Sequence, residues 1–206
     1  MRYTGPRNRL ARRQGADLEL KTLGSKNHGR LMRVLTVPPG QHGVSRRRKV
    51  SEMSKQLREK QKLKFMFGVT EKQMTNYFKK AKRSKGNTGK YLCQLLEARL
   101  DNVLFRAGFA PTRSAARQLV SHNHVKVNDK TVSIPSYQVR MNDVIAFRKS
   151  ESSKIPAIDT ALTRPDYTAP SWLERKDMNI EVLNTPDTEA LEKQLNLRLI
   201  IEFYSK

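Results

Sequence analysis

The sequence predicts an α+β fold: a mainly helical domain, an inserted small helix-helix-strand unit and a basic N-terminal extension. Three observations predict it. Apolar residues recur at helical spacing between residues 51 and 120, the period changes to alternation at Val125, and residues 1–44 have little periodicity of either kind.

Residues 1–44 are rich in Arg and Gly, include Arg12 and Arg13, and end in the loop PPGQHG from Pro38 to Gly43. They read as an extension ordered by a partner rather than by a core of its own. Arg46, Arg47, Arg48 and Lys49 follow as a compact cationic run, read either as a phosphate contact or as a solvated patch.

Residues 51–67 are helical by pattern, with Leu63 and Phe67 on one face and Gly68 as the stop. Arg58, Lys60, Lys62 and Lys64 are too many for one face of that helix, so some must meet a partner or solvent. Thr70 to Gln73 fits a capping box and opens a helix that presents Met74, Tyr77, Phe78 and Ala81. Helical spacing assigns Phe65, Tyr77 and Phe78 to the core rather than to base stacking. Ser84 to Gly89, which contains Lys85, is a turn-rich link, with Thr88 expected to cap the next helix.

The stretch from Leu96 to Arg148 reads as two short amphipathic helices and three small strands. Leu96, Leu100, Val103 and Leu104 form one stripe, with Arg99 and Arg106 off it and Gly108 as a left-handed stop. Thr112 is a good N-cap for a second helix carrying Ala115, Ala116, Leu119 and Val120, on which Arg113 and Arg117 lie one turn apart. Val125 and Val127 then alternate with Lys126 and Asn128. Asn128-Asp129 tolerates positive φ and can turn a hairpin into Thr131–Ile134. Met141-Asn142-Asp143 turns the chain into Val144–Phe147. Arg99, Arg113, Arg117 and Lys126 are expected to converge on one face.

Residues 149–170 read as a loop or strap, anchored by Trp172. Residues 179–183 read as a short strand. Thr185-Pro186-Asp187 opens a last helix with Ala190, Leu191, Gln194 and Leu195, and Leu197 to Tyr204 is apolar enough to be buried.

Composition narrows the partner. The 206 residues are 37% hydrophobic and carry a formal charge of +22, with a pI near 10.5 and a mean hydropathy of −0.70. Residues 1–90 hold 25 Lys+Arg against 5 Asp+Glu, whereas residues 151–206 hold 7 against 10. Mixed signs would serve solubility better, so this asymmetry points to a nucleic acid. Cys93 is the only cysteine, which excludes an intramolecular disulfide. No apolar run approaches a membrane span and no apolar secretory segment stands near the start. Gly-rich phosphate loops, catalytic triads and CxxC pairs are absent. His122 and His124 lack further residues at ligand spacing and read as phosphate contacts or local packing, so neither a metal nor a cofactor is expected.

RLDNVLFRAGFAPTRSAARQLVSHNHVKVN and IPSYQVR resemble the RNA-binding module of the small-subunit ribosomal protein S-four family. The flanks are similar to the same family: MRYTGPRNRLARRQG, PPGQHG, QLREKQK, FGVTEKQ, KGNTG, the turn at Pro170–Leu173 and the terminal IIEFYSK. The resemblance implies an extension over 1–44 and a helical region over 45–95 completed by 170–206. It also implies the module over 96–158, and a strap and helix over 159–206 packing back on the helical region. It implies a primary binder of the five-prime domain of 16S rRNA in the cytoplasm, in contact with ribosomal protein S-five and with incoming mRNA near Arg46–Lys49. The expected RNA-binding set comprises the cations already named together with His122, Asn128, Tyr137 and Arg140. A zinc site in some members is built from cysteines; none stands near Asn8–Ala11. Members often have Gly where Asn123 and Asp129 stand. A pseudouridine synthase would need a separate catalytic domain, and a rescue factor of the small heat-shock type would lack PPGQHG and QLREKQK.

Overall fold

The structure, a computed structural model, describes residues 3–43, 45, 49–149, 152, 155–162, 167–176 and 178–205. Two compact units divide the chain. The first comprises residues 1–92 and 190–206, the second residues 93–189.

The first unit is helical: α1 (Arg7–Gln14), α2 (Lys26–Arg33), α3 (Glu52–Phe67), α4 (Glu71–Arg83), the start of α5 (Thr88–Glu97), most of α9 (Glu189–Gln194) and α10 (Leu197–Ser205). Apolar residues of the extension are buried in the helical unit, where α1 packs on α3. Leu10, Ala11, Leu18 and Leu31 are all buried. Arg12 donates through Nε and Nη2 to the carbonyls of Val37 and Pro38 at 2.8 and 3.1 Å, which ties α1 to the PPGQHG loop. A Cβ at Gly43 would collide with the Pro38 carbonyl oxygen, so that loop closes only with glycine.

Ser51 caps α3 and Gly68 ends it at φ 60°. Thr70 and Gln73 form the capping box of α4, whose Met74, Tyr77, Phe78 and Ala81 are buried as the spacing requires. The cap of α5 is Asn87, one residue earlier than expected: its Oδ1 accepts from the backbone of Gly89 and Lys90 at 2.9 and 3.2 Å. The expected single last helix is two. Asp187 accepts from the Glu189 N–H at 3.0 Å at the head of α9, and Asn196 Oδ1 accepts from Leu199 N–H at 3.3 Å to start α10, which packs on α3.

The second unit is a five-stranded antiparallel sheet, in order β2-β1-β3-β5-β4, packed against helices. Its elements are the end of α5, α6 (Leu100–Arg106), α7 (Arg113–Ser121), β1 (Val125–Val127), β2 (Lys130–Thr131), β3 (Val144–Phe147), α8 (Pro156–Leu162), β4 (Leu173–Lys176) and β5 (Asn179–Val182). Leu96 and Leu100 do not share one helix, because Arg99 is extended and pairs with Gln138 as an isolated bridge. Gly108 at φ 74° ends α6, with Phe109 N–H reaching back to the Leu104 carbonyl at 2.9 Å. Thr112 Oγ1 caps α7. Asn128 and Asp129 both have positive φ, 47° and 66°, and join Val127 to Lys130 as a two-residue hairpin. The return strand is only two residues long, not the four expected.

Residues 149–170 contain α8, and β4 was not foreseen. Since β5 hydrogen-bonds to β3 and to β4, residues 173–176 and 179–182 belong to the sheet, and only 190–206 join the helical unit. The boundaries implied at 158 and 170 shift accordingly. Trp172 is buried in the sheet-side core, consistent with an anchor.

Candidate nucleic-acid interface

Charge separates between the units more sharply than along the sequence. The helical unit holds 28 Lys+Arg against 7 Asp+Glu; the sheet unit holds 13 against 12. The cations of the helical unit follow from helix geometry. In α4, Met74, Tyr77, Phe78 and Ala81 point inward, so Lys72, Asn76, Lys79 and Arg83, at spacings of four, three and four, share the outer face. Lys26, Arg30 and Arg33 do the same on α2 opposite Leu31, and Arg9 and Arg13 on α1 opposite Leu10 and Ala11. All the cations named on these three faces are exposed, and none makes a side-chain hydrogen bond or ion pair among the described residues. A row of uncompensated cations on a rigid helix suits a polyanion backbone, where neutralised phosphates release counterions. Sequence reading missed Lys72, Lys79 and Arg83; the apolar stripe of α4 was the signal that could have found them.

The expected site residues fall into three groups. Arg13, Lys49, Arg58, Lys85, His122 and Arg140 are exposed. Arg46, Arg47 and Arg48 lie outside the described residues. The others are engaged within the protein.

In the helical unit, Lys60 is buried with Nζ 2.9 Å from Glu71 Oε1, and Lys64 reaches Glu71 Oε2 at 2.9 Å. Lys62 donates to the Gln194 carbonyl at 3.1 Å and lies 3.4 Å from Glu59. Burial opposes ionisation of Glu71, but the hydrogen bonds from Lys60, Lys64 and Tyr204 outweigh it and hold the carboxyl below its usual range. The Tyr204 hydroxyl is pushed up by burial and by that same carboxylate.

In the sheet unit, the motif arginines are internal. Arg99 is 0% exposed and makes a two-pronged pair with Asp101, Nε to Oδ1 at 3.0 Å and Nη2 to Oδ2 at 2.6 Å. Arg113 is buried: Nε donates to Asn102 Oδ1 at 2.8 Å and the guanidinium covers the Phe105 ring. Arg106 forks onto Glu97 and Arg117 lies 3.6 Å from Asp101. Lys126 pairs with Asp129 at 2.8 Å, beside the hairpin. Arg99, Arg113, Arg117 and Lys126, expected to converge on one face, each have a partner within the protein: a buried cation needs one, and Asp101 and Asn102 supply it for Arg99 and Arg113. Asn128 is structural at the hairpin, donating to Asp143 at 2.7 Å and accepting from Val144 N–H at 2.9 Å. Tyr137 is half-buried, and its carbonyl accepts from Leu100 N–H at 2.9 Å.

His124 Nδ1 is 3.0 Å from Ser152 Oγ, which assigns it to local packing. Among the described residues no cluster of His, Cys, Asp or Glu could hold a metal, and no helix is long and apolar enough to cross a membrane.

Known proteins match this chain over its full length. The family profile described as "Ribosomal protein S4/S9 N-terminal domain" matches residues 2–97, and the S4 domain profile matches residues 98–145. The chain is 47% identical over 209 residues to small ribosomal subunit protein uS4 of Parabacteroides distasonis, covering 100% of this chain and 99% of that protein. It is 46% identical, with the same coverage, to the protein of that name from Porphyromonas gingivalis. To that from Xanthomonas oryzae pv. oryzae it is 47% identical over 210 residues, again covering 100% and 99%. With motif, fold and full-length similarity in agreement, the chain belongs to the small ribosomal subunit protein uS4 family.

Proposed function

We propose that the protein is a structural constituent of the small ribosomal subunit that binds the five-prime domain of 16S rRNA in the cytoplasm and helps nucleate the subunit body. It acts as a scaffold, not as an enzyme. The observation that carries this reading is the set of uncompensated cationic faces on α1, α2 and α4, in a unit with 28 basic and 7 acidic residues. They supply phosphate neutralisation, and the rigid helices supply shape selection. Arg46–Lys49 is assigned to incoming mRNA, and ribosomal protein S-five is assigned as a protein neighbour through which decoding accuracy is influenced; both assignments rest on the family resemblance.

The test has two parts. Protein in lysate is expected to co-sediment with small subunits, and purified protein is expected to bind a 16S five-prime-domain transcript with affinity that falls steeply with salt. Binding that is flat between about 50 and about 200 mM salt would overturn phosphate neutralisation as its basis.

A further inference from the structure

Two buried carboxylates of the sheet unit each hold one partner inside and one at the rim. Glu97 accepts from Asn102 Nδ2 at 2.6 Å and from Arg106 Nη2 and Nε at 2.8 and 3.2 Å. Asp101 accepts both prongs of Arg99 and lies 3.6 Å from Arg117 Nη1. The inner partners, Arg99 and Asn102, are 0% exposed, whereas the side chains of Arg106 and Arg117 keep 21% and 29%. Glu97 ends α5, Asp101 lies in the first turn of α6, and the two rim arginines stand on the packed pair α6 and α7.

An arginine is planar and forked, so fixing one edge on a carboxylate sets the direction of the rest; Glu97 fixes Arg106 this way through two nitrogens, whereas Arg117, at 3.6 Å from Asp101, is within ion-pair reach only. Ordering a free arginine against phosphate costs side-chain entropy, and that cost falls when the side chain is already held. An acidic residue placed this way strengthens binding to a polyanion although it removes a unit of positive charge.

We propose that Glu97 is a positioning residue for RNA: without touching it, it holds Arg106 as a pre-oriented donor for backbone phosphates of structured RNA. This rests on the reading that the chain binds small-subunit rRNA. It makes a prediction opposite in sign to charge counting. Neutralising Glu97 takes the net charge from +22 to +23, which by counterion release alone tightens binding. Positioning requires that it weakens.

The experiment is equilibrium binding of the full chain to a 16S five-prime-domain transcript at fixed salt, with the competent fraction measured by stoichiometric titration. Glu97→Gln is nearly isosteric and keeps an acceptor for Asn102. It is expected to weaken the Kd of the competent fraction roughly two- to tenfold, and Arg106→Lys, which keeps the charge but not the fork, by a similar factor. Glu97→Gln added to Arg106→Ala is expected to have no further effect. A purely structural defect lowers the competent fraction and leaves its Kd unchanged. Affinity equal to or tighter than wild type for Glu97→Gln, or unchanged for Arg106→Lys, overturns the proposal. Failure of the wild-type chain to bind the transcript overturns the rRNA reading on which it rests.

Discussion

Lys60 of α3 and Glu71 of α4 form an ion pair whose cation is inside and whose anion is near the surface: Nζ to Oε1 is 2.9 Å, with side-chain exposures of 6% and 44%. Lys64 and the Tyr204 hydroxyl converge on the same carboxylate, at 2.9 and 3.0 Å, so Glu71 links α3, α4 and α10. Removing Glu71 leaves a buried ammonium with its main partner gone. Glu71→Ala is expected to destabilise the fold by about 1–3 kcal/mol, kept to the lower range for charge-assisted bonds because the carboxylate is partly solvated. Lys60→Met, which keeps the volume and removes the charge, is expected to cost less than Glu71→Ala. Urea unfolding of the two variants checks the order; equal losses would mean that the pair, not the stranded lysine, sets the cost.

The same carboxylate gives a pH dependence with a fixed sign. Its folded pKa is depressed below the ordinary 4.5. Its contribution is therefore fully present above that value and is lost as pH falls through the lower folded one. Thermal melts from about pH 6 to about pH 3 are expected to show wild type losing more stability than Glu71→Gln, whose link does not titrate. Parallel losses would remove Glu71 as a source of acid sensitivity.

Lys72, Lys79 and Arg83 on the outer face of α4 provide a contrast with buried Lys60. Replacing them with Gln is expected to leave the melting curve within the narrow range of surface substitutions, about 0.5 kcal/mol each. The same change is expected to lower the slope of log affinity against log salt by about 0.7–0.9 for each phosphate that is no longer neutralised. Lys60→Met is expected to leave that slope unchanged. Salt titrations of RNA binding separate the two kinds of lysine.

That contrast also marks how far the sequence was legible. The capping box at Thr70, the stops at Gly68 and Gly108 and the hairpin at Asn128-Asp129 were readable because each is a local rule, enforced by backbone geometry within a few residues. The fate of each cation was not. Lys60 and Lys72 are chemically alike in sequence, and what distinguishes them is whether the fold brings a carboxylate from another segment to the ammonium. Arg99 and Arg113 sit in the motif that carries the family resemblance, yet both are buried: Asn102 faces Arg113 only once α6 and α7 have packed, whereas Arg99 is buried with Asp101, two residues on, as its partner. β4 was missed for the same reason: LERK has no strand alternation of its own and becomes a strand by pairing with β5.

The hairpin at Asn128-Asp129 gives a local prediction. Both residues are left-handed, with Asp129 at φ 66°. A side chain without local hydrogen bonding is strained there, so Asp129→Ala is expected to destabilise the fold. Asp129→Gly is expected to be neutral or stabilising, because its lost pairing with Lys126 is an exposed salt bridge worth little. Hydrogen exchange at Lys126 and Val127 would locate the effect. Equal behaviour of the alanine and glycine variants would show that the ion pair, not the backbone, fixes the turn.

Tyr167 lies against Gly108, where a Cβ would meet its ring at 3.0 Å, so glycine both ends α6 at φ 74° and admits the aromatic ring. Burial pushes the phenol up to about 12, against the opposing effect of Arg106 and Arg175. Because the folded value exceeds the ordinary 10.0, the neutral phenol favours the fold, and its contribution is present below pH 10 and lost as pH rises through about 12. Ultraviolet titration is expected to show a late tyrosine step near pH 12 that is missing in Tyr167→Phe. Gly108→Ala is expected to shift that step toward the ordinary value, since a methyl group at the helix stop displaces the ring toward water. A late step that survives Tyr167→Phe would assign it to another buried phenol and break the link between the glycine stop and the ring that covers it.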